Sequence, residues 1–78
     1  MKPDASNALN RRQSIVVDFG QSVRNLRLQL GISQEELAER AELHRTYISG
    51  IERGVRNVTL RSVERLAKAL GVSTSDLL

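Results

Sequence analysis

Arg45, Thr46, Tyr47, Ser49 and Arg53 stand close together in the stretch HRTYISGIERGVRN, His44 to Asn57, around two isoleucines, Ile48 and Ile51. These residue types can do recognition chemistry. An arginine presents a fork of two donors that matches O6 and N7 of guanine, and hydroxyls reach phosphates or base edges. The carbon atoms of Thr and Tyr can meet a thymine methyl. If the stretch is a helix turning ~100° per residue, Ile48 and Ile51 anchor one face on a core and the polar set is directed outward. Gly50 costs roughly 1 kcal/mol inside such a helix, which reads as a place where the helix or a DNA backbone comes close.

The elements that must hold this set can be traced along the chain. From about Val17, the apolar residues Phe19, Val23, Leu26 and Leu30 repeat at helical spacing up to Gly31, a C-terminal stop. ISQEELAERAEL opens a second helix, with Ser33 as N-cap, Glu36 as its capping-box partner and Leu37, Ala38 and Ala41 as the buried stripe. A third helix starts at His44 or Arg45 and runs to Arg53, with Gly54 as its stop. Thr59 caps a fourth helix whose apolar positions are Leu60, Val63, Leu66, Ala67 and Leu70, closed by Gly71; Ser73 or Thr74 begins a last turn with Leu77 and Leu78. No strand alternation competes, so the expected fold is all-α, a compact domain of five short helices.

Composition narrows the function. The 78 residues contain no cysteine, which excludes disulfides, cysteine metal sites and a thiol nucleophile. No apolar run approaches the ~18 residues of a membrane span, and the N-terminus lacks the apolar stretch of a secretory signal, so a cytoplasmic protein is expected. Of the net charge of +3, +2 falls in residues 1–14, through Lys2, Arg11 and Arg12 against Asp4. That balance fits one basic face rather than a polycation. Residues 1–14 read as a mobile N-terminal arm and 15–78 as the folded domain; Arg11 and Arg12 read first as ordinary solvated charges, with a reach of the arm into a minor groove as the alternative.

Two short helices joined by a tight turn, with Ala38 where they cross and Ile48 ten residues later inside the second, have the form of a helix-turn-helix. The second helix then enters the major groove with its outward face. SQEELAERAELHRTYISGIERG resembles the helix-turn-helix of the Cro and phage-repressor (XRE) type. The longer HRTYISGIERGVRNVTL is most similar to the controller proteins of restriction-modification systems, and the resemblance spans about Phe19 to Leu78.

The resemblance implies a lambda-repressor-like DNA-binding fold and a transcriptional regulator that binds a palindromic operator as a homodimer and regulates its own synthesis. It also implies residue roles. Gln34 would bind a phosphate at the start of the second helix, and Arg45, Thr46, Tyr47 and Ser49 would meet bases and nearby phosphates. Arg56 and Asn57, in the loop after the third helix, would hold the DNA backbone or reach the groove edge. The dimer would use the last two helices, through Leu70, Val72, Leu77 and Leu78, and an ion pair would join Arg27 to Glu52. In repressors that also activate, acids on the second helix touch the σ subunit of RNA polymerase; Glu35 and Glu39 hold that place here, although acids in a first helical turn are favoured by the helix dipole anyway. Two positions depart from the pattern. Glu42 replaces the usual turn glycine and must adopt the left-handed conformation or reshape the turn, and His44 replaces a small or acidic cap.

Other classes of function fit less well. A protein-binding module such as an antitoxin or a phage-type repressor remains the alternative, with residues 1–14 as its only separate segment. An enzyme would need a paired acid and base, and the single histidine, His44, has no partner at a plausible spacing. Neither a cofactor nor a metal is expected.

Overall fold

The computed structural model describes the backbone of residues 5–78 and the side chains of residues 14–78. Its helices are α1 (Ala5–Leu30), α2 (Gln34–Ala41), α3 (Arg45–Glu52), α4 (Leu60–Leu70) and α5 (Thr74–Leu77), and no strand occurs among the described residues. No helix there is long and apolar enough to cross a membrane.

Local chemistry sets most of the boundaries. Gly31, Gly54 and Gly71 take positive φ at 70°, 73° and 74° and end three of the helices' runs. Ser33 and Thr59 accept backbone N–H groups from Glu36 and Ser62, each satisfying a donor that the first helical turn leaves free. The reciprocal half of the box expected at Ser33 is not formed, because the Glu36 carboxylate instead accepts from Arg40, 3.2 Å away. A complete box occurs at α5, where Ser73 and Asp76 cap one another's backbone.

The 26-residue α1 starts well before the expected Val17 and takes in Ala5 to Ser14, most of the segment read as an arm. The cause is cooperative. Once Phe19 and Val23 nucleate the helix on the core, each added residue costs little, and neither proline nor glycine stands between Ala5 and Phe19. The side chains of Arg11 and Arg12, and residues 1–4, lie outside the described residues, so the minor-groove reading of the arm does too.

Phe19 and Val23 from α1, Leu37, Ala38 and Ala41 from α2, Ile48 and Ile51 from α3, and Val63, Leu66, Ala67 and Leu70 from α4 form one core, closed by Ile32 and Leu77. Two expected core positions face water instead. Leu30 is 49% exposed, because the left-handed turn at Gly31 folds Ile32 back into the place at that end of the core. Leu60 is 85% exposed at the first position of α4, ahead of the buried Ser62 and Val63. Gly20 lets α1 lie directly on α3, since a Cβ there would collide with the carbonyl oxygen of Ile51.

Candidate nucleic-acid interface

The turn between α2 and α3 fixes where the polar set points. Glu42 takes the left-handed conformation, φ 56° and ψ 42°, so the turn expected from glycine forms at the cost of a strained side-chain residue. The Leu43 N–H then donates to the Ala38 carbonyl at 2.9 Å, and the Arg65 guanidinium donates to the Glu42 carbonyl at 3.4 Å. His44 precedes α3 in extended backbone but makes no side-chain cap; its Nδ1 lies 3.2 Å from the Thr46 hydroxyl.

With Ile48 and Ile51 buried, the outward face of α3 carries exposed Arg45 and Thr46 and half-buried Ser49, and exposed Arg53 follows as the C-cap of the helix. Tyr47 does not share this face. At ~100° per residue it falls on the flank of the helix, half-buried, and its hydroxyl donates to the Asn57 carbonyl at 3.2 Å. Arg56 and Asn57 are exposed in the loop after α3, and the Arg56 guanidinium carbon lies 5.9 Å from the Tyr47 ring centroid, a cation–π distance.

Behind the face, one carboxylate ties three helices together. Arg27 of α1 donates to both oxygens of Glu52 on α3, Nε to Oε2 at 2.7 Å and Nη2 to Oε1 at 2.9 Å, while its Nη1 donates to the Ile32 carbonyl at 2.9 Å. The Glu52 hydrogen bonds hold the Arg27 guanidinium above its ordinary pKa against the opposing effect of burial. Gln34, the first residue of α2, donates its Nε2 to Glu52 Oε1 at 3.1 Å. The carboxamide expected on a phosphate is thus partly engaged inward, although the residue stands at the N-terminal, positive end of its helix. Glu35 and Glu39 are both exposed on α2.

The expected dimer residues divide. Leu70 and Leu77 are 5% and 1% exposed and fill the core of the chain itself, so they have almost no surface left for a partner. Their spacing marked an apolar face correctly, but α1 and α2 pack on α4 and cover that face from within the same chain. Val72 is half-buried and Leu78 is 75% exposed. Leu78 borders a groove of about 230 Å³ lined also by Ile15, Phe19 and Val58. Gly20 was not singled out from the sequence, although a glycine in the middle of an amphipathic helix signals close approach.

A family model described as Helix-turn-helix matches residues 23–77. The control protein C.BamHI of Bacillus amyloliquefaciens is 59% identical over 61 residues, 77% of this chain and 75% of its own. The crystal structure of the restriction-modification controller protein C.AhdI from Aeromonas hydrophila superimposes with a TM-score of 0.81 at 45% identity, covering 83% of this chain and 98% of that one. The controller protein C.Esp1396I, solved as a tetramer in complex with its natural 35 base-pair operator, matches with a TM-score of 0.71 at 45% identity, over 74% of this chain and 76% of that one.

Proposed function

This chain belongs to the helix-turn-helix family, and from that premise we propose that it is a restriction-modification controller: a sequence-specific regulator of transcription that binds duplex DNA as a homodimer and acts on its own promoter. The carrying observation is the exposed face of α3, where Arg45, Thr46, Ser49 and Arg53 project from a helix pinned by Ile48, Ile51 and the Arg27–Glu52 pair. A rigid helix with forked and hydroxyl donors on its open side fits the major groove, which alone distinguishes all four base pairs. Arg45 is assigned to a base edge, Thr46 and Ser49 to bases or adjacent phosphates, and Arg53, Arg56 and Asn57 to the backbone at the groove edge. Gln34 and the open N–H groups of α2 are assigned to a phosphate.

The dimer places two α3 helices in successive major grooves, ~34 Å apart, on a roughly palindromic operator. Its surface is assigned to exposed Leu60 and Leu78, half-buried Val72, and the groove that Leu78 shares with exposed Ile15 and half-buried Val58. Glu35 and Glu39 remain open on α2 and are assigned to RNA polymerase. Replacing both is expected to abolish activation while leaving operator affinity intact; equal loss of the two would remove that assignment.

Fluorescence anisotropy against duplex DNA from upstream of its own gene and against a shuffled duplex, at two salt concentrations, tests the reading. Preference for the upstream duplex is expected, with Arg45→Ala losing roughly ten- to hundredfold in affinity for it, the worth of one bidentate base contact. Equal, weak and steeply salt-dependent binding of both duplexes would mean phosphate contacts alone and would turn attention to a protein partner.

A further inference from the structure

Gly50 is buried in the middle of α3 and is not among the glycines of positive φ, so its backbone conformation does not call for glycine. Glycine is the least favourable residue but proline in a helix interior, and alanine would hold α3 better. The requirement comes from outside the backbone. A Cβ at Gly50 would collide with Cγ of Arg56 and would lie 3.4 Å from its Cβ and 3.6 Å from its Cδ. The Arg56 stem therefore runs through the notch that the missing side chain leaves.

Beyond the notch the guanidinium reaches the Tyr47 ring, at 5.9 Å, one turn before Gly50 on the same flank of α3. The loop is held on both sides of Arg56. The Val55 N–H donates to the Gly50 carbonyl at 3.0 Å, and the Tyr47 hydroxyl donates to the Asn57 carbonyl at 3.2 Å. Arg56 itself is exposed and forms no ion pair with a carboxylate among the described residues.

We infer that Gly50 is a positioning residue: with the Tyr47 ring it seats Arg56 in a notch across α3, so that the guanidinium is presented beside the recognition face before DNA arrives. The inference rests on the reading of α3 as the DNA-contacting helix. Arginine is among the side chains that lose most rotamer freedom when fixed, and ordering its stem during folding removes that cost from the binding step. A guanidinium over a ring face also keeps its planar fork of donors available for a guanine edge or a phosphate. Gly50 touches no nucleotide in this scheme; it acts through Arg56.

The test uses the full chain and the duplex that it enriches from a random pool. Gly50→Ala is expected to leave the thermal midpoint unchanged or raised, as helix propensity dictates, yet to weaken binding at least tenfold. In an Arg56→Ala background the same change is expected to alter affinity less than twofold. A readout without DNA accompanies this. In the free chain the Arg56 δ-methylene protons should be shifted upfield by the ring of Tyr47, the only tyrosine, and Gly50→Ala and Tyr47→Leu should each abolish the shift. If Gly50→Ala fails to fold, the cycle of Tyr47→Leu with Arg56→Ala replaces it and must show the same coupling. Additive losses in either cycle overturn the inference, as does full affinity in a Gly50→Ala chain that has lost the upfield shift. Absence of any selective binding by the unaltered chain overturns the functional reading as well, whereas selective binding with Gly50 and Arg56 uncoupled overturns this inference alone.

Discussion

Arg27 and Glu52 expose only 11% and 3% of their side chains, and two hydrogen bonds join them across α1 and α3. Removing Arg27 leaves the Glu52 carboxylate buried with only the Gln34 amide donating to it, and losing one partner of a buried pair typically costs about 3–5 kcal/mol. Arg27→Ala is therefore expected to lose about 3 kcal/mol in urea unfolding and to weaken DNA binding only as far as α3 loosens; a loss below about 1 kcal/mol would mean that water reaches the site. Because the folded-state pKa of Arg27 is raised, its contribution is complete below the ordinary arginine value and is lost only as pH rises through the higher one. The arginine thus adds no pH dependence near neutrality. This pair was legible only through family resemblance, since no helical period connects residues in separate helices. The turn of Gln34 toward Glu52 was not legible at all, because its rotamer is decided by a tertiary partner.

Among the elements, the α2–α3 turn stores the clearest strain. Glu42 is the only residue other than glycine with positive φ among those described, and the left-handed conformation costs an L side chain about 1–2 kcal/mol. Glu42→Gly is expected to raise stability by up to about 1 kcal/mol by thermal or urea unfolding, the gain being reduced by the extra freedom of glycine in the unfolded chain. The bond from Arg65 survives the change because it goes to the Glu42 carbonyl. At the α1–α3 crossing the sign reverses. Gly20→Ala puts a methyl where the Ile51 carbonyl oxygen lies, and the helices must part at a cost of about 1–3 kcal/mol; an unchanged unfolding midpoint would contradict the close crossing.

The helix boundaries at Gly31, Ser33, Thr59 and Gly71 were legible because each depends on φ or on a cap chosen by that residue alone. The start of α1 was not. Ala5 to Ser14 lack an apolar period, and propagation from a docked helix needs none. His44 shows the same limit from the other side, since its position before α3 was read but its ring turns to Thr46 rather than capping the helix.

For the whole molecule, periodicity told which faces are apolar but not which chain covers them. Leu70 and Leu77 meet their own core, while Leu60 and Leu78 stay open at 85% and 75%. Leu60→Glu is expected to shift sedimentation toward the monomer with little loss of folded helix and to weaken operator binding steeply through lost dimerisation. Leu77→Ala should instead cost about 2–5 kcal/mol of stability, as a buried leucine does. A Leu60→Glu chain that stayed dimeric would move the interface elsewhere. The net charge of +3 is too small to hold DNA without selection, so affinity has to come from placed contacts as well as from the phosphate field.

Selection of duplexes from a random pool by the purified chain tests the central claim most directly, because it needs no knowledge of the gene's surroundings. The account predicts enrichment of a two-fold symmetric sequence whose half-sites lie about one helical turn apart, with Arg45→Ala relaxing the preference at the same position in both halves. A pool that shows no enrichment, or one that yields a single asymmetric site untouched by Arg45→Ala, would contradict it.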